Sequence, residues 1–308
     1  MGAWGTGLYS GDFAMDLRGT IRAVARLPFP ADRLVDVLCD TEAGAAHNPN
    51  DPDHTVFWLV LADQFWKRGI ECPRARDAAL SIIDEGRDRD AMAALGMPAP
   101  DLRRRERVLA ELRSRLASAP APKPRTTLKK PQAYLMEVGD CYAYPTSGGK
   151  NINPYFAAPE KIPDWHHDGW AVMIVVACGR AFDYLAWYRF LTIDTAIGEK
   201  PAAIPMDSSQ LWVLRRPGTV TPLHIKRLRL EKLGAVAIDG DKFGAIFPGL
   251  KPGIAQAIND ISIANQMNVG PHLAARWMPR PGEPREARTA YPTILGLRSI
   301  LAGTDGST

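Results

Sequence analysis

Apolar residues recur every three or four positions through the first third of the chain and alternate through much of the remainder. Phe13, Leu17, Ile21 and Val24 form one stripe, the spacing of a helix with a single buried face. Ser10 or Asp12 stands where a cap belongs. Leu27-Pro-Phe-Pro30 ends that helix, because proline cannot continue a helix interior. Leu34, Val35 and Leu38 predict a second helix over 31–40, and His47 to Asp53 reads as a turn-rich loop. From Asp53 or Thr55 to Trp66 the residues are apolar nearly all round, which predicts a central helix stopped by Gly69. Pro73 opens a fourth helix with an alanine-rich face, ended by Gly86. A fifth begins near Asp101, with Leu102, Leu109, Leu112 and Leu116 on one side. Arg103, Arg104, Arg105, Arg107, Arg113 and Arg115 fill much of the other side and predict a solvated face.

Period two takes over further on. Val138 to Tyr144, Gly169 to Cys178, Phe182 to Leu191 and Gln210 to Arg216 predict strands. Gly179-Arg180-Ala181 is short enough to be a hairpin turn. Pro145 to Lys150 reads as a loop that Asn151 to Asp168 continues. Leu223 to Leu233 fits either helix or strand, Ala235 to Asp239 reads as a closing strand, and Ile254 to Met267 has helical spacing. Residues 302–308 are expected to fray. Between the two regimes Pro120, Pro122, Pro124 and Pro131 punctuate an extended linker. The expected architecture is α+β: an all-α helical domain over 1–117, a proline-rich linker over 118–133, and a β-rich domain over 134–308. The last would be an antiparallel sheet or partial barrel.

The opening Met1-Gly-Ala-Trp-Gly-Thr-Gly-Leu-Tyr-Ser10 has three glycines in its first seven positions. Glycine lets the backbone approach other chain closely, and Trp4 needs a groove. This segment is expected to dock back onto the helical domain. It does not read as a targeting peptide, so a cytoplasmic location is the expectation. No apolar run approaches the ~20 residues of a membrane span.

The net charge of +4 is mostly in the linker. Residues 1–117 hold 16 Lys/Arg against 18 Asp/Glu, and 118–133 hold four cations and no acid. Nucleic-acid binding needs a basic stripe on a folded surface, so a nucleic-acid partner is not expected. Cys39, Cys72, Cys141 and Cys178 are far apart and read as buried free thiols.

Three clusters invite chemistry. In Trp165-His166-His167-Asp168, adjacent histidines on a strand face opposite ways, but in a loop both could reach one metal with Asp164, Asp168 or His224. Gly139-Asp140-Cys141 sets an acid beside a thiol, with no base in view. Thr146-Ser-Gly-Gly-Lys150 lacks the spacing of a phosphate loop and reads as a hairpin. The aromatics Tyr142, Tyr144, Tyr155, Phe156, Tyr184, Trp187 and Tyr188 suit either a recognition surface or a core. The residues expected to bind are Tyr142, Tyr144, Tyr155, Trp165, His166, His167 and Asp168. No catalytic residue, metal ligand or cofactor is assigned.

The opening MGAWGTGLYSGDFAMD and the helix TVFWLVLADQFWKRG resemble a bacterial family known as domain of unknown function 4259. That family implies an architecture and no site. Glu137-Val-Gly-Asp-Cys-Tyr-Ala-Tyr-Pro145 and the stretch His224 to Gly234 resemble the small β-rich immunity proteins that neutralise polymorphic toxins. The second resemblance implies a non-catalytic binding protein of the immunity or antitoxin type, with a protein partner such as a toxin. The alternative is an enzyme or small-ligand regulator that uses the 151–168 loop, with or without a metal.

Overall fold

The computed structural model describes residues 5–119, 125–152, 165–194, 197–254 and 293–303, and the statements below concern those residues. Met1 to Trp4, the loop residues 153–164 and the predicted helix over 254–267 lie almost wholly outside them. The fold is α+β. The chain divides into two compact units, the first covering Met1–Lys130 and the second beginning at Pro131.

The first unit is helical. Its elements are α1 (Asp12–Val24), α2 (Ala31–Thr41), α3 (Ala43–His47), α4 (His54–Lys67), α5 (Pro73–Asp84), α6 (Arg87–Ala94) and α7 (Ala99–Leu116). The apolar stripe of α1 is buried at Leu17, Ile21 and Val24. α4 is the central rod: eleven of its residues, His54 to Phe57 and Leu59 to Phe65, are buried. Gly69 and Gly86 follow α4 and α5 with φ of 64° and 70°, conformations that suit glycine at a helix end. The short helices α3 and α6 stand where no apolar stripe announced them. α6 buries only Asp88 and Met92.

Asp88 explains the inward turn of one arginine of α7. Arg105 Nε and Nη2 donate to the two Asp88 carboxylate oxygens, both at 2.9 Å. Arg105 is 4% exposed and Asp88 0%. Arg105 Nη1 donates to the Gly7 carbonyl at 2.8 Å, and the Thr55 hydroxyl donates to Asp88. Arg105 therefore does not belong to a solvated face, since a buried carboxylate requires a counter-charge. The linker reading changes as well. Arg125 Nη2 donates to the carbonyls of Leu27 and Phe29, and the Leu128 amide donates to Arg26. Burial lowers the Arg125 pKa. This linker cation is fastened to the α1–α2 connection and is not a free tether.

The second unit is built on one open sheet. Its strands are β1 (Asp140–Ser147), β2 (Lys150–Asn151), β3 (Gly169–Ala181), β4 (Leu185–Ile193), β5 (Leu211–Leu214), β6 (Glu231–Ala235), β7 (Gly253–Ile254) and β8 (Thr293–Leu295). The order is β2-β1-β3-β4-β5-β8; β6 also pairs with β1, and β7 pairs in parallel with β3. β3 and β4 are buried nearly throughout, as expected of strands covered on both faces. Tyr144, Tyr188, Phe190, Trp212 and Phe243 anchor the core.

Several boundaries differ from the pattern's prediction. β1 runs on to Ser147, and Gly148-Gly149 turns it into β2, so 145–151 is a hairpin. The β3–β4 turn is Phe182-Asp183-Tyr184, with Phe182 and Asp183 at positive φ. Gly179 is not its turn residue; it lies opposite Trp187 in the ladder. A Cβ there would stand 2.6 Å from the indole. The ambiguous 223–233 stretch is both helix and strand. α8 (Pro222–Arg227) is capped by Thr221 Oγ1, which accepts the His224 amide, and β6 follows. In 236–239 the Val236 amide donates to the Gly139 carbonyl beside β1, and Ile238 forms an isolated bridge with Leu301, outside the sheet. α9 (Gly240–Ile246) then packs Phe243 into the core.

Candidate functional site

The structure brings two of the predicted clusters together. The 146–151 hairpin and Trp165–Asp168 meet along the start of β3. The His166 amide donates to Ser147 Oγ at 3.1 Å, and the Asp168 amide donates to the Thr146 carbonyl. The Asp168 carboxylate accepts the Gly148 amide at 2.5 Å. That amide is thus taken by a carboxylate of the same chain and is not open to a phosphate. His167 packs edge-on to Trp170 with ring centroids 5.3 Å apart. His166, His167 and Asp168 are exposed and Trp165 is half-buried. Among the described residues, no three His, Cys, Asp or Glu side chains converge as metal ligands. Tyr155 and Asp164 lie outside the described residues.

Tyr142 and Tyr144 do not present a binding surface. Tyr144 is 0% exposed and Tyr142 8%. Both face into the sheet core because β1 is covered on both sides. Burial raises both phenol pKa values; for Tyr142 a hydrogen bond to Asp140 adds to the effect. Trp187 and Tyr188 are buried too, so these four aromatics serve as core; Phe156, like Tyr155, lies outside the described residues. Gly139-Asp140-Cys141 is structural. Asp140 binds the Lys232 ammonium, the Glu137 amide and the Tyr142 hydroxyl. Cys141 is 0% exposed, and burial beside Asp140 pushes its thiol up to about 12. Cys39 is pushed up to about 11, mainly by burial. All four cysteines are free and buried.

A second centre lies in the helical unit, where the glycine-rich lead docks. Leu8 is buried, and the Tyr9 hydroxyl donates to the Asp63 carboxylate. The Gln64 amide donates to the Tyr9 oxygen, and Arg68 donates to the carbonyl and side chain of Gln64. Asp63 is 1% exposed and also takes Lys67 at 2.7 Å and Arg115 at 3.0 Å. The Tyr9 ring carries two further cation contacts, the Arg18 guanidinium at 5.2 Å and the Lys67 ammonium at 5.3 Å. Burial, with the Asp63 charge beside it, raises the Tyr9 pKa, so the phenol stays protonated and donates. Burial lowers the Arg68 pKa, and like-charge repulsion from Arg22 and Arg18 contributes. Lys67 and Arg115 thus pair with one buried carboxylate, Arg18 lies over the ring of the tyrosine that binds it, and Arg22 and Arg68 stand close enough to repel.

No sequence cluster pointed to this centre. Its trace is the pair Asp63-Gln64 inside the otherwise apolar run Val56 to Trp66. A buried acid in a central helix needs partners, and here they come from the lead and from α7. Among the described residues, no helix is long and apolar enough to cross a membrane. Comparisons with protein-family models, with curated proteins and with solved structures find no match to this chain.

Proposed function

We propose that this chain is a non-catalytic binding protein of the bacterial immunity or antitoxin type, acting by protein–protein contact. The observation that carries this reading is the Tyr9–Asp63 centre. It holds several cations in a fixed arrangement on a rigid helical frame, and charge fixed in this way serves recognition. The chain's thiols suit this reading, since buried thiols with raised pKa are poor nucleophiles. The immunity or antitoxin type is proposed from the Glu137–Pro145 strand pattern.

The test is affinity purification of the tagged chain from its native cell, followed by co-expression with the proteins encoded beside it. A stable complex with one neighbour, together with relief of that neighbour's toxicity, is the expected result. Recovery of no specific protein would refute the reading.

A further inference from the structure

We propose that the cation cluster around Tyr9 is the docking surface, and that its partner is a protein presenting a short run of carboxylates. This rests on the binding-protein reading and adds a place and a chemistry to it.

Several surface arginines of the helical unit are matched with acids: Arg74 with Asp36, Arg89 with Glu106, Arg104 with Asp101, and Arg113 with Asp84. Exposed Arg26, Arg33, Arg103 and Arg107 have no ion pair among the described residues, so what sets the Tyr9 region apart is that its cations gather from separate elements around one held side chain. Asp63 is almost wholly enclosed and already bound by Tyr9, Lys67 and Arg115. Arg18 lies over the Tyr9 ring, and Arg68, just past the end of α4, feels the charges of both Arg18 and Arg22. Arg18 and Arg22 stand one turn apart on α1, both exposed, and neither has an ion pair among the described residues. Like charges at that spacing repel along a helix, and Arg68 adds to the repulsion. The cluster is also held in shape. Tyr9 is pinned by Asp63 and Gln64, and its ring carries Arg18 and Lys67. Guanidinium forks match carboxylates in a bidentate way, so a partner's acids would complete the pairing.

Charge around the cluster selects the partner's class. Residues 1–117 carry more acids than bases, including Asp12 and Asp16 on α1 and Asp32, Asp36 and Asp40 on α2. A long polyanion such as RNA would meet repulsion beyond the cluster. A short acidic protein segment would not.

The experiment uses the full chain and fluorescence anisotropy at low salt. The probes are a labelled peptide of glutamate and serine, a single-stranded RNA of equal charge, and inorganic phosphate as competitor. The variants are Arg18→Gln/Arg22→Gln and, with the same change in net charge, Arg103→Gln/Arg107→Gln. The first should weaken peptide binding at least about tenfold and the second no more than about twofold, with melting temperatures unchanged in both. Peptide binding absent from the wild type, equal loss in both variants, tighter binding of the RNA, or full competition by phosphate would each overturn the proposal. Co-purification of the same variants from the native cell separates the two claims. A partner retained by Arg18→Gln/Arg22→Gln sinks this inference and leaves the binding-protein reading standing. A partner lost only in that variant supports both, and no partner with the wild type sinks the reading itself.

Discussion

Replacing Arg105 with methionine should be among the most damaging single changes to the helical unit. The substitution keeps most of the stem and removes the guanidinium. Asp88 would then be 0% exposed with no counter-charge and only the Thr55 hydroxyl donating to it. Breaking a buried, hydrogen-bonded ion pair by removing one partner costs about 3–5 kcal/mol. For a unit of this size that lowers the melting temperature by roughly 10–20 °C. Asp88→Leu/Arg105→Met should behave differently. With both charges gone no buried ion is stranded, and the remaining loss is about 1–2 kcal/mol for the unmade bonds to Thr55 and Gly7. Urea unfolding followed by circular dichroism measures Arg105→Met, Asp88→Leu and the double variant, since urea, unlike guanidinium, does not screen charge. The singles should each lose far more than the double, giving a coupling energy above about 2 kcal/mol. Additive losses, or a single variant within about 1 kcal/mol of wild type, would refute the assignment of Arg105 as a buried counter-ion.

Gly139→Ala should destabilise the β unit by more than about 2 kcal/mol in urea unfolding, because φ is 91° and a Cβ would stand 2.1 Å from the Val236 carbonyl oxygen. None of Cys39, Cys72, Cys141 and Cys178 should react with Ellman's reagent in native buffer, and all four should react in denaturant; rapid native labelling would contradict their burial. Asp140 adds a pH dependence. Burial pulls its pKa upward, but bonds from Lys232, the Glu137 amide and the Tyr142 hydroxyl outweigh burial and hold it below the ordinary range. Its contribution is therefore full above the unfolded carboxylate pKa of about 4 and is lost as pH falls through the lower folded value. Urea midpoints measured from pH 5 downward should fall for the wild type and fall less for Asp140→Asn.

What could be read from the sequence was whatever repeats locally. α4 announced itself because Val56 to Trp66 is apolar on every side, and β3 because Gly169 to Cys178 is continuous. What stayed hidden depends on partners far along the chain. Nothing in Arg103-Arg104-Arg105 says which arginine turns inward; that is decided by Asp88, on a helix without an apolar stripe. Asp63 draws its partners from positions 9 and 115, and no local pattern records that meeting. Gly179 looked like a turn because glycine often is one; its actual task, clearing room for Trp187, exists only once the strands are paired. The aromatic alternation over Tyr142 and Tyr144 was correct as a strand and left open which way the rings face.

The bond from Arg105 to the Gly7 carbonyl spans 98 positions. At ribosomal speeds of about 5–20 residues per second, the lead waits roughly 5–20 s after synthesis before the arginine that captures it exists. The glycines and Tyr9 spend that interval without Arg105, and Tyr9 is without Asp63 for about the first half of it. The lead is thus fully seated only once α7 has been made.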